Sequence, residues 1–140
     1  MKLITVVDDN MGLMFNNRRQ SQDRILRAKI LKITVNSLLF MNPYSFNQFK
    51  YDNYDNASNI ITVHNPLECA KEDDYVFIEN DDVKDYENKL KKIYLFRWNR
   101  NYPADKFLSI DFNNYRLEKT EEFEGSSHDK ITMEVYNAQN

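Results

Sequence analysis

The feature that most constrains this chain is a change of period along it. Short apolar runs of strand length recur, separated by segments with helical spacing, until the last third turns to polar–apolar alternation. Residues 3–7 (Leu-Ile-Thr-Val-Val), 37–41 (Ser-Leu-Leu-Phe-Met), 59–63 (Asn-Ile-Ile-Thr-Val), 76–78 (Val-Phe-Ile) and 93–98 (Ile-Tyr-Leu-Phe-Arg-Trp) predict buried strands. After the first of these, residues 8–19 are polar and read as a loop. Ser21 is a fair N-cap and Asp23 suits a first turn. Ile25, Leu26, Ala28 and Ile30 then keep helical spacing, which predicts a helix over 22–31. Pro43 can occupy the first helical position before a short helix over 44–49. Residues 50–58 are polar and are the best candidate for a mobile loop. A helix is expected over 81–90, with Asp81 or Asp82 at its start and Lys89, Lys91 and Lys92 at its end, as the helix dipole prefers. Tyr115 to Phe123 and Lys130 to Tyr136 alternate as antiparallel strands do, joined through Gly125–Asp129. The expectation is one α/β domain over residues 1–140. It has three layers, helices on both faces of a mostly parallel sheet, and an antiparallel C-terminal hairpin at one edge.

Composition removes several functions. The chain has 140 residues, 41% of them hydrophobic, which is enough for a core. It has only two glycines, Gly12 and Gly125. A Walker loop needs two in one short run and a dinucleotide fingerprint needs three, so neither is present. Two histidines and one cysteine are too few for a Cys/His zinc site, and no metal is expected. Cys69 has no partner for an internal disulfide, which fits a reducing cytoplasm. The N-terminus reaches Asp8-Asp9 too early for a secretory signal, and no window approaches the ~18 apolar residues of a membrane span. A soluble cytoplasmic protein without membrane contact is expected. With 22 acids against 19 bases, the net charge of −3 gives no general attraction to nucleic acid, so RNA is a weak candidate partner.

Several side chains carry chemistry in principle, and each also has a plainer explanation. Arg18-Arg19, close to a helix start, suits an anionic ligand, or a solvated loop. Arg97-Trp98-Asn99-Arg100 interleaves an aromatic ring with guanidinium groups at a strand end, where open α/β sheets bind ligands. A base or other planar ring stacked on Trp98, with Arg97 or Arg100 taking a charge, is the functional reading. Packing of Trp98 against Tyr102 and Phe107 is the structural one. His128 beside Ser126 and Ser127 suits acid–base chemistry or an exposed turn, and His64 stands similarly after the third strand. Glu68 and Glu72 beside Cys69 oppose thiolate formation. Glu72-Asp73-Asp74 and Asp81-Asp82 read as solvated acidic faces.

The order of elements resembles the dihydrofolate reductase family almost end to end. The opening strand, Asp-rich loop and Gly12 look like that family's first strand and mobile active-site loop. Thr34 to Phe46 resembles its Met-Gly-Arg-x-Thr-Trp stretch, with Met41, Ser45 and Phe46 in pattern. Ile93-Tyr94-Leu95, Tyr102-Pro103-Ala104-Asp105 and Phe107 resemble its late strand and acidic, aromatic loop, and the closing hairpin matches too. The resemblance implies a dihydrofolate reductase-like α/β/α fold, NADPH as cofactor, a pterin substrate, and Asp23 as the carboxylate on the first helix that protonates or orients it. It places the cofactor at Asn42, Ser45, Glu79 and Asn80. The departures are specific. The Gly-Arg pair is Asn42-Pro43 here, the twin glycine is replaced by Glu79-Asn80, and the Pro-Trp before the helix is Arg18-Arg19. Asp23 stands further from Thr34 than the family spacing, and the short segment from Pro66 to Tyr75 implies a lost strand–helix unit. A lost charged hydrogen bond with added repulsion weakens NADPH by on the order of 10² to 10⁴.

The combination of Arg18–Asp23, Arg97–Arg100 and Ser126–Thr132 also resembles a group of small uncharacterised proteins of anaerobic Firmicutes, some of which carry the label ribonuclease Z. That label fails chemically, because a His-x-His-x-Asp-His dimetal cluster cannot come from two isolated histidines. Three readings follow. The first is an NADPH-dependent reductase of dihydrofolate or a related pterin using Asp23. The second is a degenerate relative, without the usual NADPH site, that binds a nucleotide or pterin through Arg18, Arg19, Arg97, Trp98 and Arg100. The third is an RNA- or protein-interaction module. The missing cofactor determinants favour the second.

Overall fold

The computed structural model describes residues 1–52 and 59–139. Among these the chain runs β1 (Lys2–Val7), β2 (Gly12–Phe15), β3 (Arg18–Arg19), α1 (Arg24–Ile33), β4 (Leu39–Met41), α2 (Pro43–Phe49), β5 (Ile60–Thr62), α3 (Pro66–Cys69) and β6 (Tyr75–Phe77). A 3₁₀ helix (Lys84–Lys89), β7 (Lys92–Arg97), β8 (Lys106–Phe107), a 3₁₀ turn (Phe112–Asn114), β9 (Tyr115–Phe123) and β10 (Ile131–Ala138) complete it. The main sheet has the order β5-β4-β6-β1-β7-β10-β9. β1 lies between β6 and β7, parallel to both, and β10 and β9 add antiparallel at the far edge. This is the mostly parallel sheet with an antiparallel hairpin that the alternation of periods predicts.

The unbroken apolar run of β1 follows from burial on both faces. Leu3 and Val7 point to one side with Val76, Ile78, Ile93 and Leu95. Ile4 points to the other with Leu39, Met41, Phe77 and Phe96, under α1. Helix α1 buries Leu26, Ile30 and Leu31 there, each worth about 1.5–3 kcal/mol of transfer free energy. The opposite face is covered more thinly, by Leu67 of α3 and by Val83, Leu90 and Leu108 of the connections.

Four expectations are corrected. The helix expected over 81–90 is a 3₁₀ helix of six residues, Lys84–Lys89. Its hydrogen bonds span three residues, with Tyr86 N–H donating to Val83 O and Leu90 N–H to Glu87 O. Residues 8–19 are more than a loop, because β2 and β3 form a hairpin that β8 extends. Asn16 and Asn17 at its tip have φ of 55° and 60°, the left-handed pair that asparagine tolerates and a tight hairpin turn requires. Helix α1 starts two residues later than expected, because Asp23, not Ser21, is its N-cap. The segment after Pro66 keeps a four-residue helix, α3, so that unit is shortened rather than lost. The mobile loop expected over 50–58 falls mainly at 53–58, outside the described residues; Asp52 pairs with Arg27 at 2.8 Å. No helix among the described residues is long and apolar enough to cross a membrane.

Candidate functional site

Parallel strands β1, β4, β6 and β7 all end on one edge of the sheet, the edge where open α/β sheets bind ligands. Most of the polar side chains buried among the described residues gather there. Asp8 follows β1, Asn42 and Ser45 follow β4, Glu79 follows β6, and Asp23 and His128 approach from α1 and from the turn before β10. Buried polar groups need partners, and their partners define three clusters.

In the first, Arg19 of β3 forms a two-point ion pair with Glu79, Nε to Oε2 at 2.9 Å and a terminal nitrogen to Oε1 at 3.1 Å. Ser45 Oγ donates to the same Oε1 at 2.9 Å. The guanidinium lies 4.3 Å from the centre of the Tyr44 ring and also donates to Tyr44 O. Burial opposes the charge of Arg19, but the bond to Glu79 raises its pKa overall. Asn42 closes the cluster. Its Oδ1 caps α2 at Ser45 N, and its Nδ2 donates to Asn80 Oδ1 at 2.7 Å and Asp81 Oδ2 at 3.2 Å. Burial pushes the Asp81 carboxyl up against that bond. Lys106 donates to Asn80 O.

The second cluster surrounds Asp23, whose side chain is 0% exposed. Oδ1 accepts from Ile25 N and Leu26 N as the helix cap, and from Ser126 N at 3.1 Å. Oδ2 accepts from Ser127 N at 2.9 Å and Ser127 Oγ at 3.1 Å, and faces His128 Nδ1 at 3.3 Å. Burial raises the pKa of this carboxyl, but the backbone N–H groups of Ser127, Ser126 and Leu26 outweigh it and hold it far below the usual carboxylate range. His128 stacks on Trp98 at 4.3 Å between ring centres, and its Nε2 lies 2.8 Å from Tyr102 Oη. With the Asp23 carboxylate facing Nδ1, the fitting tautomer carries its proton there and accepts from Tyr102 at Nε2. Burial, seconded by Arg100, lowers the imidazole pKa despite Asp23, so the ring is neutral at pH 7.

The third cluster is Asp8. Oδ1 accepts from Asn10 N and Gly12 N; Oδ2 accepts from Gln20 Nε2 and Tyr102 N. The scarcity of glycine now has a spatial meaning. A Cβ on Gly12 would stand 2.9 Å from Asp8 Oδ1, and one on Gly125 would overlap Asp23 Oδ2 and stand 2.9 Å from Asp23 Cγ. Each glycine lies where backbone closes on a buried carboxylate, and neither has a positive φ.

Arg19, Asn42, Ser45, Glu79 and Asn80, singled out separately in the sequence, therefore meet in one network. Arg97 and Trp98 do not converge. Successive strand residues face opposite sides of the sheet, so Trp98 packs on the α1 side. Arg97 pairs with Glu134 at 2.7 Å on the other. Burial opposes the Arg97 charge and Glu134 raises its pKa overall. Trp98, 4% exposed, stacks on His128 rather than Phe107 and offers no open face to a base. Arg18 is exposed, as is Arg100, which makes one bond, to Ser127 O at 3.4 Å. The sequence singles out neither Asp8 nor Gln20 as a site residue, and it offers Tyr102 only as a packing partner of Trp98 and part of the family-like loop. An aspartate directly after a buried strand and four residues before a rare glycine is the signal for the first.

Between these clusters, Val6, Leu13, Leu26, Gln48, Phe77 and Trp98 leave a void of about 10 Å³, with Arg19 and Glu79 in its wall. Among the described residues, no group of three or more His, Cys, Asp or Glu is placed to hold a metal ion. No protein-family model matches the chain, and no curated protein does. Among solved structures, a dihydrofolate reductase from Enterococcus faecalis, complexed with NADP(H) and RAB-propyl, is similar over 100% of this chain and 97% of its own, with a TM-score of 0.71 at 12% identity. That likeness spans every element described above, and it establishes that this chain carries a dihydrofolate reductase-like fold.

Proposed function

We propose that this protein is a binding protein on a dihydrofolate reductase-like scaffold, not an NADPH-dependent reductase. The observation that carries this reading is the Arg19–Glu79–Ser45 cluster at the carboxyl edge of the sheet. The resemblance puts a dinucleotide phosphate near Asn42 and Glu79. Glu79 presents a carboxylate there, and the guanidinium of Arg19 is already committed to it. Asp81 adds a second acid within reach of Asn42. These residues do not fit a phosphate. The role expected for Asp23 as a pterin carboxylate meets a similar obstacle, since six protein donors surround its two oxygens. A void of about 10 Å³ is also too small for a heterocycle without movement of the Arg19 or Gln48 side chain.

The ligand class that suits the cluster is a neutral heterocycle of pterin or nucleobase type. Asn80, whose side chain sits on the exposed side of the network, would bond its edge, and the Arg19 guanidinium would move aside over Tyr44. The test is thermal stability in the presence of NADPH, dihydrofolate, pterin and nucleosides, together with loss of NADPH absorbance. A heterocycle is expected to raise the melting temperature, and Asn80→Ala is expected to remove that shift. NADPH is expected to do nothing. Saturable stabilisation by NADPH with turnover of dihydrofolate would restore the reductase reading.

A further inference from the structure

A second concavity lies away from the carboxyl edge, between the C-terminal turns of α1 and the antiparallel part of the sheet. It has a volume of about 680 Å³. It exists because α1 covers β1 and its neighbours while no second helix among the described residues lies over β10 and β9. The floor is apolar, made by the half-buried Ile33 and Tyr94; Met133 and Val135 border it but are only 3% and 4% exposed. Met133 faces Phe96 and Glu121 across the sheet, and Val135 faces Tyr94 and Lys119. That register puts Lys119, Glu121 and Phe123 on the α1 side of β9. On α1, Lys29, Lys32 and Ile33 sit at the spacing that places them on one helical side.

The rim is unbalanced in charge. Four lysines, Lys29, Lys32, Lys92 and Lys119, meet two glutamates, Glu118 and Glu121. Lys92 pairs with Glu118 at 3.4 Å, and Asn137 Nδ2 also donates to that carboxylate at 2.7 Å. Lys29 takes Glu121 at 2.8 Å with its ammonium 5.1 Å from the Phe123 ring centre. Glu121 is left as the shared counter-ion of three lysines. The bond from Lys29, with the charges of Lys119 and Lys32, holds its carboxyl below the ordinary value. Lys32 and Lys119 make no ion pair of their own among the described residues. The lysine stems flank the apolar floor and leave their ammonium groups at the mouth.

We propose that this groove binds a small anionic amphiphile, an apolar chain or ring lying on Ile33 and Tyr94 with its single carboxylate or phosphate head between Lys32 and Lys119. The two requirements are separate. The floor supplies apolar contact without charge selectivity. The surplus of ammonium groups selects the sign of the head and is relieved by it. The site shares no residue with the Arg19–Glu79 cluster, so it stands whether or not the binding reading of that cluster holds.

The probe is sodium decanoate below its micelle concentration, followed by titration calorimetry and by the NMR methyl signal of Met133. Lys32 and Lys119 are exposed, so Lys32→Gln/Lys119→Gln leaves the fold intact and is expected to weaken decanoate by about tenfold. Glu121→Gln removes the competing carboxylate and is expected to tighten it several-fold. This opposite sign separates a charge-selective site from a greasy surface. Uncharged 1-decanol is expected to bind more weakly than decanoate. Equal binding of decanol, a Met133 signal unmoved by decanoate, or binding to phosphatidylglycerol vesicles without binding to monomeric decanoate would each overturn the proposal.

Discussion

Replacing Asp23 by asparagine isolates the charge of the group that ties α1 to the C-terminal hairpin. Asparagine is as good an N-cap as aspartate, so its carbonyl oxygen can keep Ile25 N, Leu26 N and Ser126 N at the Oδ1 position. The amide nitrogen then falls where Oδ2 accepts from Ser127 N, Ser127 Oγ and His128 Nδ1. Two of these can adapt. The Ser127 hydroxyl can rotate to accept, and His128 can change tautomer. The Ser127 backbone N–H cannot, and it is left facing another donor. One charge-assisted hydrogen bond is therefore lost outright and two are weakened. At about 1.5–3 kcal/mol for a bond to a charged group, the cost is about 2–3 kcal/mol. In a chain of this length that lowers the melting temperature by roughly 7–10 °C.

The variant should also lose part of its pH dependence. The folded pKa of Asp23 lies below its unfolded value near 4. Its contribution is thus fully present above about pH 4 and disappears as pH falls through the folded pKa. Urea unfolding followed by circular dichroism at pH 7 and at pH 3 measures both effects. The gap between wild type and Asp23→Asn should be large at pH 7 and narrower at pH 3. A gap below ~0.5 kcal/mol at pH 7, or one that widens in acid, would refute the assignment of Asp23 as a buried, fully bonded carboxylate.

Three further outcomes follow from the same geometry. Gly125→Ala drives a methyl group into the Asp23 carboxylate, and overpacking of this kind costs about 1–3 kcal/mol; denaturant unfolding showing wild-type stability would contradict the close approach. Arg19→Met leaves Glu79 buried and unpaired and should cost about 3–5 kcal/mol, whereas Arg19→Met/Glu79→Leu should recover much of that loss; simple additivity in this double-mutant cycle would mean that the pair is not coupled. The folded pKa of His128 is pushed below its unfolded value near 6.5, first by burial and then by Arg100, with Asp23 and Asp129 opposing. Its contribution is therefore complete above about pH 6.5 and is lost as pH falls from there toward the folded pKa. Trp98, the single tryptophan, is stacked on that ring, so its fluorescence should change over the same range in wild type and not in His128→Gln.

The candidate site was legible in part. Arg19, Asn42, Ser45, Glu79 and Asn80 stood out because they depart from a recognisable pattern, and they do assemble. Arg97 and Trp98 were misjoined, although strand alternation alone places neighbours on opposite faces. Asp23 reads in the sequence as a first-turn residue available to a ligand. Its position before Arg24-Ile25-Leu26 already marks it as a cap, but nothing local discloses the Ser126–His128 turn that consumes its second oxygen.

The amino-acid order by itself determined which segments are strands and in what succession they come, because β-branched runs and polar–apolar alternation express preferences among neighbours a few residues apart. It also determined that backbone had few places to turn closely, through two glycines. Only the tertiary structure decided which carboxylates those glycines approach, that Glu79 meets Arg19 across sixty residues, and that most of β9 stays exposed beyond the core under α1. Such pairings depend on how layers settle against one another. A buried charge accepts whichever donors the packed backbone brings to it, and those donors lie too far along the chain for any local pattern to announce them.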